Sequence, residues 1–255
     1  MGILDKFKLD GKKAYVTGST RGLGKVCALA LAEAGADVAI IGTKIETAEA
    51  VAKEIAEKTG VQTIGVQADV TQPADVDAMM EKILDAFGTL DIAFNNAGIA
   101  TVANAEDLSV EDWDRTLDVN LKGVFLTSQA AGRVMLKKKK GSIINMASMS
   151  AHIANIPMNV CHYAASKAGV IQLSRNMAAE WAPHNVRVNV VSPGYHMTEM
   201  TAQFTELHKQ WLPRIPMGRI ADPEELAGII VFLASDASSY TTGAEIITDG
   251  GYTLR

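Results

Sequence analysis

The stretch KAYVTGSTRGLGKVCALALAEAG, Lys13 to Gly35, decides the fold. Its first six residues are an apolar run closed by Gly18, the pattern of a buried strand. From Gly22 the apolar positions recur at helical spacing until Gly35 stops them. Between strand and helix lie three glycines, Gly18, Gly22 and Gly24. Glycine at such a turn permits positive φ and lets a bulky ligand approach the backbone. The unpaired N–H groups of the helix start, at the positive end of its dipole, suit a pyrophosphate. The spacing is not G-x-G-x-x-G, so the rest of the chain has to identify the ligand.

The alternation repeats along the chain. Strands are expected at Asp37–Ile41, Val61–Gln67, Leu90–Gly98, Gly141–Ser148, Val186–Gly194 and Glu245–Gly250. Helices are expected at Glu46–Lys58, Pro73–Gly88, Glu111–Lys138, Tyr163–Trp181 and Glu224–Leu233. Strands alternating with helices of this length mean βαβ units. The expectation is an α/β fold: a single Rossmann-like, doubly wound parallel sheet of about seven strands with helices on both faces. No linker or repeat divides it, so residues 1–255 read as one dinucleotide-binding and catalytic domain.

Composition narrows the function. The chain has 255 residues, 48% of them apolar, and a net charge of −5. That charge argues against a nucleic-acid or anionic-membrane partner. The basic run Lys137–Lys140 reads as a solvated helix end. The N-terminus lacks an apolar signal region, and the run Ala227–Ala234 is too short to span a bilayer. Cys27 and Cys161 have no CxxC spacing, and the histidines have no metal-ligand spacing. A cytoplasmic location and no resident metal are expected.

Ligands in such a sheet bind outside the carboxyl ends of the strands. The first end is Thr17–Gly24, which offers Gly18, Ser19, Thr20, Arg21, Gly22, Leu23 and Gly24. The second has Gly42, Thr43 and Lys44 where an acidic residue would hold a ribose 2′-hydroxyl. With no carboxylate there and with Lys44 and Arg21 nearby, the reading is NADP, with NAD as the alternative. Asp69 and Val70 end the third strand, and Asn96, Ala97 and Gly98 end the fourth. Asp69 suits an adenine amino group, and the small residues leave room for a ribose. The fifth strand ends at Ser148. The next helix places Lys167 four residues after Tyr163, on one face and about 5–6 Å away. An ammonium there favours the phenolate of a tyrosine whose free pKa is about 10.

With TGSTRGLG, NNAG, DVNLKGVF, INMAS, YAASK and SPG in order, the sequence resembles the short-chain dehydrogenase/reductase family. The resemblance spans essentially the whole chain. It implies that Tyr163 exchanges a proton with the substrate oxygen and that Lys167 lowers the tyrosine pKa and binds the nicotinamide ribose. It implies that Ser148 positions the reacting oxygen and that Asn120 holds a water in a proton relay. Pro193, Gly194, His196 and Thr198 would lie along the nicotinamide, His196 standing where the family usually has an aliphatic residue. The family's enzymes are usually homotetramers.

The loop MSAHIANIPMNVCH, Met149 to His162, is similar to that of ketose and polyol reductases of the mannitol, sorbose and xylulose type. Ser150, Asn155 and Pro157 match, whereas Met158 replaces a glutamine. With Tyr195, these make Ser148, Ser150, Asn155 and Tyr195 the substrate residues. The expected reaction is hydride transfer between NADP(H) and a small ketose or polyol. The runner-up is a 3-oxoacyl-thioester or general carbonyl reductase. A non-catalytic dinucleotide sensor or a methyltransferase fits less, because the four catalytic residues are all present. Thr198–Pro216 reads as a mobile lid, with Trp211 as its apolar anchor or a subunit contact.

Overall fold

A computed structural model of the protein describes residues 2–254. Seven strands form one parallel sheet: β1 (Lys13–Thr17), β2 (Asp37–Gly42), β3 (Thr63–Gln67), β4 (Ile92–Asn95), β5 (Gly141–Met146), β6 (Val186–Pro193) and β7 (Glu245–Thr248). Their order is β3-β2-β1-β4-β5-β6-β7, every pair parallel. The chain therefore winds outward one way from β1 and then the other way from β4. The reversal lies between β1 and β4, where a ligand crevice opens in such sheets.

Side chains alternate across the sheet, and both faces are apolar because both are covered. Ala14, Val16, Val38, Ile40, Phe94, Ile144 and Val191 face one layer. That layer contains α1 (Gly22–Glu33), α2 (Ile45–Thr59) and residues 226–234. Tyr15, Ala39, Ile41, Ala93, Ile143 and Val188 face the other. There they meet α3 (Pro73–Phe87) and two longer helices described next. The helices stop as their sequences ask: Gly60 and Gly88 cap α2 and α3 in the left-handed conformation.

The single helix expected over Glu111–Lys138 is in fact broken. It consists of α4 (Val110–Leu117), a π turn at Asp118–Lys122, and α5 (Gly123–Lys138). The π turn carries Asn120 and buries it completely. The next helix, α6 (Cys161–Trp181), begins two residues before Tyr163. After β6 come α7 (Glu199–Ala202) and α8 (Thr205–Trp211). The final helix, expected at Glu224–Leu233, starts as a 3₁₀ turn over Pro223–Leu226 and continues as α9 (Ala227–Ala234). None of the described helices is long and apolar enough to cross a membrane.

Candidate active site

One cleft of about 1480 Å³ runs along the carboxyl ends of the strands. At its first end, Gly18 and Gly22 take φ of 63° and 54°, left-handed values that glycine adopts readily and other residues rarely. Gly24 is fixed by proximity instead: a Cβ there would stand 2.4 Å from the Gly18 carbonyl oxygen. Arg21 caps α1 without a side-chain hydrogen bond to the first turn. The N–H groups of that turn are thus left for an anion, and the cradle fits a pyrophosphate.

Thr20, Arg21, Gly22, Leu23, Thr43, Asp69, Val70, Asn96, Ala97 and Gly98 line the cleft as the sequence suggested. Three predicted residues, Ser19, Lys44 and the fully buried Asn120, do not. Ser19 is fully buried; its hydroxyl donates to the Val16 carbonyl at 2.6 Å and accepts from the Ile41 N–H at 3.0 Å. It ties the glycine turn to β2 and has no hydroxyl left for a ligand. Lys44 is the exposed N-cap of α2 and lies outside the cleft lining. Asn96 donates to the Thr17 and Gly18 carbonyls at 2.9 and 3.1 Å, which clamps the turn to β4.

The chemistry end is built from β5, α6 and the π turn. Ser148 follows β5, and its Oγ accepts from the Ser150 N–H at 3.1 Å. Its hydroxyl donates to Ser150 Oγ at 3.1 Å, and Ser148 and Tyr163 line the same cleft. One turn along α6, Lys167 Nζ sits 5.6 Å from the centre of the Tyr163 ring and donates to the Met146 carbonyl at 2.9 Å. Asn120 grips the strand exit after β4: its Oδ1 accepts from the Ile99 N–H at 2.8 Å and its Nδ2 donates to the Ile99 carbonyl at 2.9 Å. The same Nδ2 reaches Ser166 Oγ at 3.1 Å, so Asn120 also touches α6. Gly98 keeps the space open beside this group. A methyl there would stand 3.3 Å from Asn120 Oδ1 and 3.4 Å from Lys167 Nζ.

The electrostatics differ from the sequence expectation. Burial raises the Tyr163 phenol above its ordinary value, and the Ser148 hydroxyl is what opposes that rise. Burial likewise pulls the Lys167 ammonium down to about 8. Desolvation disfavours the charged form of both groups. Their 5.6 Å separation leaves the lysine a weaker influence on the tyrosine than burial has.

Beyond Ser148 the cleft is walled by Ser150, Asn155, Met158, Tyr195, His196 and Thr198, with Pro193 and Gly194 along its floor. Burial lowers the His196 imidazole, whose Nδ1 lies 3.2 Å from the Gly194 carbonyl oxygen. Trp211, expected as a lid anchor or subunit contact, forms part of the wall and stacks on Tyr195 at 3.8 Å. Sequence reading missed Glu111, Asp114 and Arg115 at the cleft's edge, and no motif marks them. Among the described residues no cluster of three or more His, Cys, Asp or Glu has a metal-binding arrangement.

Sheet order and strand-end chemistry together define an oxidoreductase that works with a nicotinamide dinucleotide. The chain belongs to the short-chain dehydrogenase/reductase family. A family model described as enoyl-(acyl carrier protein) reductase matches residues 18–253. D-threitol dehydrogenase of Mycolicibacterium smegmatis is 44% identical, over 98% of this chain and 95% of its own length. Sorbose reductase of Candida albicans is 43% identical, over 98% and 90%. A 3-oxoacyl-[acyl-carrier-protein] reductase of Aquifex aeolicus is 42% identical, over 96% and 99%. Among solved structures, a short-chain type dehydrogenase/reductase from Mycobacterium marinum superposes with TM-score 0.97 at 48% identity, each chain fully covered. A gluconate 5-dehydrogenase from Burkholderia cenocepacia, in complex with NADP and tartrate, gives 0.95 at 35%, also fully covered.

Proposed function

We propose that the protein is an NADP(H)-dependent reductase of a small hydroxylated ketone, most simply a ketose, and that it oxidises the matching polyol in reverse. The observation that carries this is the meeting of Ser148, Tyr163 and Lys167 in one cleft with the glycine cradle of α1. When bound, the nicotinamide supplies or accepts the hydride. The protein's own residues handle the oxygen. Tyr163 gives its phenolic proton to the carbonyl oxygen as the alcohol forms, and Ser148 donates a hydrogen bond that holds that oxygen in place. Lys167 sits 5.6 Å from the Tyr163 ring, where it would hold the nicotinamide ribose, and Asn120 fixes the Ile99 backbone.

The choice of NADP rests on Gly42, with Arg21 and Thr43 lining the pocket where a carboxylate would repel a 2′-phosphate. The NADP bound to the Burkholderia relative supports it. The hydroxylated substrate is supported by Ser150, Asn155 and Tyr195 in the wall and by the threitol and sorbose relatives. The competing reading, a 3-oxoacyl-thioester reductase, is favoured by the Aquifex relative and by the apolar Met158. We further propose that the whole chain acts as one domain, as a homotetramer in a reducing cytosol. Two unpaired cysteines and the exposed apolar groove around Leu117, Leu121, Phe125 and Leu173 support this.

Steady-state rates with NADPH and NADH test the reading against fructose, sorbose, xylulose, 2-hexanone and a 3-oxoacyl thioester. A ketose is expected to give the largest kcat/KM. A larger value for the thioester or the plain ketone reverses the assignment.

A further inference from the structure

One carboxylate outside the cleft lining touches the segments that build the cleft. Glu245 opens β7, and its side chain is 8% exposed. Its Oε1 accepts from the Ser192 hydroxyl at 2.6 Å and from His152 Nε2. A carboxylate oxygen only accepts, so that imidazole nitrogen carries a proton. Glu245 Oε2 faces the Arg175 guanidinium at 3.7 Å.

The three partners come from three segments that carry the candidate active site. Ser192 precedes Pro193 and Gly194, the floor of the cleft. His152 closes the turn that Ser148 begins. In that turn the Ala151 N–H donates to the Ser148 carbonyl at 3.0 Å, and the His152 N–H to the Met149 carbonyl at 2.9 Å. Arg175 lies on α6, further along than Tyr163 and Lys167. Arg175 is half exposed, so its ion pair is screened, and the two hydrogen bonds to Oε1 are the stronger links.

Packing alone sets the spacing of these segments loosely. Met149 leans on Gly194, where a Cβ would stand 3.3 Å from the Met149 sulfur. A thioether contact is soft and adaptable, whereas bonds to a charged oxygen are short and directional. From Ile153 to Val160 the chain runs without helix or strand, and this stretch carries Asn155 and Met158 of the cleft wall. His152 stands between that irregular stretch and Ser148.

We propose that Glu245 is a positioning residue for the reduction. Its carboxylate clamps the Ser148 turn, held through His152, to the end of β6, held through Ser192. The clamp keeps the hydroxyl that orients the reacting oxygen at a fixed distance from the floor where the nicotinamide would lie. A misplacement of about 1 Å costs on the order of 10²-fold in rate, so a group that never touches substrate can set kcat. The inference rests on the reductase reading of the cleft but not on which ketone is natural.

The test compares His152→Leu, which removes the donor, with His152→Gln, whose amide N–H takes the place of the imidazole N–H. The His152 side chain is a third exposed, so neither change should disturb the core. With NADPH and the substrate of the series above that has the largest kcat/KM, His152→Leu should lower kcat tenfold or more. Its KM for that substrate and its Kd for NADPH, read by fluorescence titration, should stay within threefold. His152→Gln should turn over at least threefold faster than His152→Leu. Backbone amide exchange at Ala151 and His152 should quicken in His152→Leu while β5 exchanges as in wild type. Should His152→Leu fail to fold, Ser192→Ala, which removes the other bond to the same oxygen, is held to the same tenfold criterion. The clamp is overturned if kcat falls less than tenfold, if the glutamine variant is no faster than the leucine one, if NADPH binding weakens as far as kcat, or if amide exchange in the turn is unchanged. If the wild type turns over none of the substrates in that series, the reductase reading falls and the positioning role with it.

Discussion

Lys167 is an amine that the fold buries at a cost. Its ammonium is pulled from 10.5 to about 8 by desolvation alone, and its one recorded hydrogen bond goes to the Met146 carbonyl. A shift of that size corresponds to roughly 3 kcal/mol of disfavoured charge. Losing the Met146 bond would return about 1 kcal/mol of that. Lys167→Met should therefore be more stable by about 1–3 kcal/mol at pH 7 and inactive, as expected when a functional group is kept at the expense of stability. The pH dependence has a definite sign. Below about 8 the folded and unfolded chains both hold the proton, and the penalty is constant. Between about 8 and 10.5 the folded protein has shed a proton that the unfolded chain keeps, so wild-type stability rises with pH. Thermal melts of both proteins from pH 7 to 10 should show the gap closing; a constant gap would mean the cost is steric. Tyr163→Phe should fold like wild type, bind cofactor unchanged and lose about 10²–10⁴-fold in kcat. Near-normal turnover would remove Tyr163 as the proton donor.

At the scale of elements, the π turn over Asp118–Lys122 explains how a helix can present Asn120 to a strand exit. The wider turn interrupts the regular ladder between α4 and α5, and π turns of this kind gather at functional sites. Asn120 spends both ends of its amide on the Ile99 backbone. Gly98, one residue earlier, keeps clear the space between Asn120 and Lys167. Gly98→Ala tests whether that space is for ligand. Its Cβ contacts of 3.3 and 3.4 Å are tight but are made with side-chain tips, so the melting temperature should move little. The KM for NADPH should rise at least tenfold, read by initial rates and by fluorescence titration. An unchanged KM would show that nothing passes beside Gly98. The sequence announced the glycine cradle and the Tyr163–Lys167 pair because local backbone rules and helical spacing fix them. It did not announce the π turn, since DVNLKG has neither proline nor an interrupted apolar pattern before Gly123. Nor did it tell that Ser19 faces inward, because that depends on where β2 lies beside the turn. The direction of the Tyr163 shift was missed for the same reason: burial is a tertiary property, and spacing along one helix cannot measure it.

The whole molecule is organised by one sheet whose carboxyl edge is a continuous cleft from β3 to β6. The strands were legible one by one, and right-handed crossovers leave few ways to order them. Their order puts the ends of β1 and β2 side by side, so that Arg21, from the turn after β1, and Thr43, from the exit of β2, wall the same pocket. Cofactor choice is decided there, by partners that come from two different crossovers. Gly42→Asp is the substitution the sequence suggests, but a Cβ at Gly42 would come within 2.5 Å of Thr20 Cγ2 and disturb the cradle itself. Arg21→Ala is the cleaner probe, because Arg21 is exposed and its side chain caps nothing in α1. A hydrogen bond to a charged group contributes about 1.5–3 kcal/mol. With tenfold in affinity for each 1.4 kcal/mol, Arg21→Ala should raise the KM for NADPH by roughly ten- to a hundredfold. The KM for NADH, which has no 2′-phosphate, should stay within about twofold. Steady-state kinetics with the two cofactors, at one fixed salt concentration because exposed charges are screened, give the ratio directly. If both KM values rise together, Arg21 holds the pyrophosphate that the two cofactors share, and the preference for NADP must come from elsewhere along the β2 edge.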